Sequence, residues 1–556
     1  MPQGRLDKTK DIGAKLTALN IQQEERLASR RAEILHLPYI DLFAFPFESG
    51  VLEAIPRTEA QAAGAVLFYK KGKDLRMGVV NPQADAFDGL VEKVEKKFGL
   101  KPQVYIISHH SLKTAIARYQ REEAYVPLDT DTISISQEQL DQFQEALDSY
   151  EKLGQRISSV VPSELMSSIM AGAVKMGASD VHIEPRRDEA QLRYRIDGVL
   201  QNVATFGLSG WKHLLSRLKV VSDLKLNVHH MPQEGGFVMH AGDTKYDIRI
   251  SILPGGLGEY IVLRLLNRKE GALSLDQLGM KARDKEVVEE ALKESTGLIL
   301  SAGPTGSGKT TTIVSCLAVV NRPEFKIITL EDPIEYRVVG AEQTEVDASA
   351  GYTFPVGLRS ILRQDPDIIF VGEMRDSETA ETGIHAAMTG HLVFSTIHSN
   401  DAPGVILRLV GMGLMPYVLA PAIDLIIAQR LVRLVCKKCS EEYKVDKKTK
   451  EHISNVMEGV DRSVFDPAIL ADPNLTFFKT TGCKDCGNTG YRGRVGAFEI
   501  LVVKGELEEM VLQGADAASL REVAQEHGMT TIRQDAYLKV ISKLTTIEEV
   551  ERISEE

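Results

Sequence analysis

The run GLILSAGPTGSGKTTTIVSCL, residues 297–317, constrains the fold of this chain more than any other stretch. Residues 298–300 are apolar and read as a buried strand, a glycine-rich turn follows, and an apolar-periodic helix comes next. The turn Gly303, Pro304, Thr305, Gly306, Ser307, Gly308, Lys309, Thr310 fits G-x-x-x-x-G-K-[ST]. Small residues let several backbone N–H groups converge on one phosphate. A helix starting near Lys309 adds the positive partial charge of its N-terminus. Lys309 can reach the β- and γ-phosphates, and the Thr310 hydroxyl can ligate Mg²⁺. With Thr311 beside them, these residues predict a site for a nucleoside triphosphate such as ATP. A chance glycine-rich turn would lack the strand before, the helix after and the Lys-Thr pair.

A chain of 556 residues is expected to hold about three to four domains. Its 43% hydrophobic and 26% charged content is that of an ordinary globular protein. The formal net charge of -12 argues against a general nucleic-acid binder. The start, MPQGRLDKTKDIGAKL, is polar and shows no signal-peptide pattern. The longest apolar stretch, 409–432, contains Pro416, Pro421, Asp424 and Arg430, and reads as buried helices and not a membrane span.

Taken in order, residues up to about 31 read as a charged, mobile helical lead. GAVLFYKKGKDLRMGVVNP reads as a hairpin, 87–98 as a helix stopped by Gly99, QVYIIS as a strand, and Ser111 as the cap of a further helix. His109 and His110 read as surface residues at a strand end. The acid-rich stretch 129–155 reads as a linker. A second domain follows with the helix PSELMSSIMAGAVKMG and the strands ASDVHIEP and QLRYRIDGVL. In the last of these a period of two puts Arg193 and Arg195 on one face, ahead of an Asp197-Gly198 hairpin turn. A second hairpin around PGGLG carries Arg249 and Arg264. A solvated sheet face and an anion-facing set of arginines are both open readings of these four.

Beyond the phosphate loop, FKIITLEDPIEY, DIIFVGEMRD and HLVFSTIHSND read as strands alternating with helices, hence a parallel sheet. Ligands of such sheets lie at the carboxyl ends of the strands. There the sequence places Glu331, Asp332 and Glu335, then Glu373 and Arg375, then Thr396, His398 and Asn400. No arginine suited to the γ-phosphate is evident next to Lys309. Cys436 and Cys439, with Cys483 and Cys486, form two C-x-x-C pairs, the ligand set of a closed tetrahedral zinc site. The long spacing between the pairs requires an insert, expected to be helical. Cys316 reads as a core residue. NTGYRGRVGAFEIL reads as a strand, and the remainder as helical.

ILRQDPDIIFVGEMRD, LEDPIEY, TGHLVFSTIHSNDA, ASDVHIEP and PQEGGF resemble the signatures of type II secretion and type IV pilus assembly ATPases. The resemblance runs from about Pro162 to the C-terminus, including the cysteines and the LTTIEEV ending, and residues 31–120 look like the family's small N-terminal domain. It implies an α/β multidomain fold. A RecA-like P-loop ATPase core would be preceded by a PAS-like α/β domain and a small N-terminal α/β domain, with a zinc-binding insert and a helical C-terminus. The segments expected are 1–30, 31–125, 126–155, 156–270, 271–435, 436–490 and 491–556. It also implies an acidic box at 331–335 with Glu331 and Glu335, a catalytic Glu373, a histidine box at 391–398 with His398 as γ-phosphate sensor, and arginines from the second domain, here Arg193 and Arg195, that approach nucleotide. His230 and Gly236 stand where the family commonly has arginines, and Glu234 replaces an aspartate. The glycine- and leucine-rich repeats that bind cyclic-di-GMP in some relatives are not visible near the N-terminus. The implied protein is a cytoplasmic homohexameric Mg²⁺-ATPase, with Zn²⁺ in a structural role, that hydrolyses ATP to extend a pilus. It would meet an inner-membrane platform protein and a cytoplasmic adaptor, reaching the membrane only through partners and binding no nucleic acid directly. A type II secretion motor is the alternative, and a DNA-uptake or conjugation translocase the more distant one.

Overall fold

A computed structural model of the chain describes residues 23–43, 45, 51–119, 132–136, 150–161, 164–267 and 272–555. Most of the expected helical lead and much of the expected linker lie outside these residues. The chain divides into two compact units, Met1–Asn267 and Arg268–Glu556.

In the first unit a small sheet runs Ala65–Lys71, Asp74–Val79, Gln103–Ile106, its first pair antiparallel and its second parallel. Helix Asp85–Phe98 makes the parallel crossover and ends at Gly99, whose φ of 65° suits a residue without Cβ. The next helix, His109–Arg118, corrects the expected cap. Ser108, not Ser111, is the cap residue, accepting from the Ser111 N–H at 2.8 Å. The Ser111 hydroxyl is occupied elsewhere, accepting from the Leu42 N–H at 2.9 Å. His109 and His110 therefore open a helix.

The larger sheet of this unit has the order Thr132–Ile135, Gln233–Ala241, Thr244–Gly255, Gly258–Asn267, Ala178–Pro185, Glu189–Ile196, Val199–Gly207. Its edge corrects the linker reading. Thr132–Ile135 pairs parallel with Gln233–Ala241, and helix Tyr150–Ser159 buries Leu153 and Ile157. The polar composition masked a period of two that sends Ile133 and Ile135 into the core. Asp197 and Gly198 both take positive φ, 47° and 86°, as a two-residue hairpin turn of matching twist requires.

The second unit is built on a sheet ordered Glu342–Glu345, Ile327–Glu331, Ile368–Val371, Leu392–Ile397, Gly297–Ala302, Ile423–Val435, Tyr491–Val502. Every neighbouring pair is parallel except the last. Gly297–Ala302 and Leu392–Ile397 are buried along their whole length, because helices cover both faces of a parallel sheet. The stretch 409–432 is not a set of helices. Helix Ala402–Gly411 ends there, a short helix Pro416–Leu419 follows, and the rest enters the strand Ile423–Val435. A continuous apolar run lacks the period that separates strand from helix. The insert is helical only in its middle: Ser440–Lys444 and Thr476–Thr480 pair antiparallel around helices Lys447–Val456 and Ala468–Ala471. Near the C-terminus, fully buried Glu549 accepts from Arg433 at 2.7 Å and Arg552 at 2.7 Å, tying helix Ile547–Glu555 to the long strand. Among the described residues no helix is long and apolar enough to cross a membrane.

Candidate nucleotide site and metal centre

Strand Gly297–Ala302 delivers the glycine-rich turn to the carboxyl edge of the sheet, and helix Lys309–Val320 leaves from it. Gly306 and Gly308 have φ of 81° and 92°. A Cβ on Gly303 would sit 2.7 Å from the Gln429 carbonyl, and one on Gly308 would sit 2.9 Å from Gln429 Nε2. The glycines are therefore required by contact as well as by conformation. Lys309, 9% exposed, donates to the carbonyls of Gly303 at 2.9 Å and Pro304 at 3.0 Å. Burial brings its pKa down to about 8, against the opposing pull of Glu373 and Glu335. Ser307 Oγ and Thr312 Oγ1 are buried with no hydrogen-bond partner among the described residues. A buried cation near neutrality and an orphan hydroxyl at a helix N-terminus fit a phosphate group. Thr310 is half-buried on the first turn of that helix, and Thr311 Oγ1 lies 3.1 Å from the Tyr336 hydroxyl.

Glu373 follows strand Ile368–Val371 and is braced from the next strand. The Thr396 hydroxyl donates to the Gly372 carbonyl at 2.7 Å, and the Met374 N–H donates to the Thr396 carbonyl at 3.0 Å. Its carboxylate pairs with Arg375 and lies 3.5 Å from His398 Nε2. His398 is held below its usual pKa by burial and by the nearby charge of Lys309, with Glu373 opposing. Lys309, Glu373 and His398 are thus brought to one place. His391, at the other end of the strand Leu392–Ile397, faces the Ala386 carbonyl at 2.9 Å and takes no part.

Glu331 is 3% exposed and accepts from Thr329 Oγ1 at 2.7 Å and Gln343 Nε2 at 3.0 Å. Burial raises its pKa. Glu335 is half-buried and near enough to act on Lys309. The sequence reading missed Gln429 and Arg430. Gln429, 1% exposed, donates to the Ser307 carbonyl at 2.7 Å. Arg430, 7% exposed, donates to Asn400 Oδ1 at 3.2 Å, and its charge acts on Lys309. An arginine therefore does stand beside Lys309 within its own unit. The available signal was a polar pair inside an apolar run.

In the first unit, Arg193 pairs with Glu184, and Arg195 lies 3.5 Å from Asp180, which also takes Arg264 at 2.9 Å. Arg249 is exposed on the strand Thr244–Gly255. The cost of gathering Arg193, Arg195 and Arg264 is offset by Glu184 and Asp180 of the neighbouring strand Ala178–Pro185.

Cys436, Cys439, Cys483 and Cys486 place their sulfurs within 4.8 Å of one another. Three of the separations are 3.8, 3.8 and 3.7 Å. A tetrahedron with Zn–S of about 2.3 Å has S···S of about 3.8 Å, whereas a disulfide needs about 2.05 Å. Burial works to raise the Cys486 thiol, but the N–H groups of Cys483 and Gly490, at 3.1 and 3.2 Å, bring it down to about 7. The cluster could hold one zinc ion. Cys316 is fully buried in the core of the same unit.

Residues 157–552 match the family described as Type II/IV secretion system protein. The type IV pilus assembly ATPase PilB of Myxococcus xanthus is 33% identical, covering 97% of this chain and 93% of its own. Type II secretion system protein E of Pseudomonas aeruginosa is 41% identical over 70% of this chain and 75% of its own. The solved ATPase DotB of Legionella pneumophila superposes with a TM-score of 0.51 at 20% identity, covering 71% of this chain and 96% of its own, a likeness of fold.

Proposed function

This chain belongs to the Type II/IV secretion system protein family, and on that premise we propose that it is the ATP-hydrolysing motor that extends a type IV pilus. The chain is an ATPase. The observation that carries the reading is the convergence of Lys309, Glu373 and His398 on a glycine-rich loop with an orphan buried hydroxyl. Lys309 and the loop N–H groups would hold the phosphates, and Glu373 would polarise the attacking water. Mg²⁺, held by Thr310, would neutralise charge on the phosphates. His398, in contact with Glu373, would register loss of the γ-phosphate. The cysteines would hold zinc in a structural role, because thiolates at every corner leave no position for substrate.

In this reading residues 271–435 and 491–556 form the motor core, 436–490 the metal-holding insert, and six copies form a ring in which Arg193 or Arg195 serves a neighbouring subunit. A membrane platform protein and an adaptor receive the motion at the inner face of the cell membrane. Two relatives named type IV pilus assembly ATPase PilB match over 97% and 94% of this chain. The secretion motor is the second reading, favoured by the 41% identity to a protein of that system and by a 34% match across 91% of this chain. The test is deletion of the gene with complementation by wild type or Glu373→Gln. Loss of surface filaments with secretion intact supports the pilus reading, and loss of secretion with filaments intact replaces it.

A further inference from the structure

We infer that Gln429 is a positioning residue that sets the phosphate loop in its binding shape from beneath. Its side chain lies on the strand Ile423–Val435, beside the strand that enters the loop, with Ala428 registered against Ala302. The amide is oriented at both ends: Oε1 accepts from Ser301 Oγ at 3.4 Å, and Nε2 donates to the Ser307 carbonyl at 2.7 Å. A trans peptide unit is planar, with its C=O and N–H pointing in opposite directions. Drawing the Ser307 carbonyl down onto Gln429 therefore aims the Gly308 N–H up, toward the space where a phosphate would sit. The same residue lies against both ends of the loop: a Cβ added at Gly303 would meet its carbonyl at 2.7 Å, and one added at Gly308 would meet its Nε2 at 2.9 Å. The next residue carries the connection further, since Arg430 donates to Asn400 in the loop that bears His398. One strand thus props the two loops on either side of the γ-phosphate position. Gln429 would touch no ligand atom and act only through Ser307 and Gly308.

This inference rests on the reading of residues 303–310 as a phosphate site, and the wild-type titration separates the two. The experiment uses the full chain with Mg²⁺ and ATP. Gln429→Met keeps the volume and removes the donor. Gln429→Asn keeps a buried amide but withdraws it by one methylene, and serves if the first variant does not fold. The measurements are the ATP dissociation constant, KM and kcat, with thermal unfolding as the control for fold. One neutral hydrogen bond corresponds to a change of about three- to tenfold. The expected result is that rise in dissociation constant and KM, with kcat at saturation within about twofold and the unfolding temperature of the ATP-free protein little changed. A loss seen only in unfolding temperature, or a wild-type dissociation constant in either folded variant, would overturn the inference. No ATP binding by wild type would instead remove the phosphate-site reading itself.

Discussion

A buried lysine that titrates near 8 makes nucleotide affinity a function of pH. If phosphate binds protonated Lys309 it raises its pKa, so affinity should be flat below about 8 and fall as pH rises above it. KM for ATP should increase roughly fivefold between pH 8 and pH 9, and Lys309→Arg should flatten that dependence even if it weakens binding. Equal pH profiles for both proteins would show that Lys309 is not the titrating group. The proposed roles of Lys309 and Glu373 differ. Lys309→Ala should weaken equilibrium ATP binding by about tenfold or more. Glu373→Gln should leave binding within about twofold while turnover drops about 10²- to 10⁴-fold. Equal ATP affinity in the two variants would contradict these roles. Lys309, Glu373 and His398 were legible because glycine, charge and strand ends mark them. Gln429 was not, because a buried polar residue whose partner is a distant backbone carbonyl leaves no spacing to read, and Arg430 was not, because its side-chain partner Asn400 lies 30 residues away.

Among the elements, the long strand Ile423–Val435 was the least legible and the most connected. Its apolar run gave no period, whereas the parallel core strands were bounded by turn residues that fixed their lengths. Glu549 secures this strand beyond the site. Burial works to raise its carboxyl, but Arg552 and Arg433 hold it below the usual range. A depressed folded-state pKa gives stability that is present above the unfolded value and is lost as pH falls through the folded one. Glu549→Gln leaves two guanidiniums without their anion and should cost about 3 kcal/mol in unfolding of the second unit, read by urea titration at pH 7. A change below about 0.5 kcal/mol would mean that solvent replaces the carboxylate. For the cysteine cluster, chelation should make 436–490 the first segment cut by protease, before the phosphate loop is exposed. Native, reduced protein with no zinc by metal analysis would contradict the structural role.

For the molecule as a whole, the prediction concerns assembly. Glu373→Gln subunits keep Arg193, and Arg193→Ala subunits keep Glu373. If the arginine serves a neighbour, mixing the two inactive proteins should restore a measurable fraction of turnover. No recovery from mixed oligomers, shown to form by differential tagging, would place the arginine within its own chain or outside the reaction. One structural fact frames that outcome: Arg193 is already paired with Glu184, so that carboxylate must release it before it can serve an anion elsewhere. The parallel sheet was legible from alternating strand and helix patterns. The edge strand Thr132–Ile135 was not, because a short run of Thr, Ile and Ser reads as polar until its pairing partner is known.

The hairpin of strands Ile423–Val435 and Tyr491–Val502 carries the four-cysteine segment at its tip. Val435 and Tyr491 face each other as partners, so the chain leaves the sheet and returns to it at a single doorway. To the sheet, the whole excursion is topologically one turn. Doubling the length of such a loop costs only about 0.6 kcal/mol of closure entropy. The excursion can therefore grow or shrink over evolutionary time without shifting the register of any strand beneath the phosphate loop. What would feel its loss is helix Ile532–Ile541, where Gln534 donates to the Val456 and Glu458 carbonyls and would be left facing water.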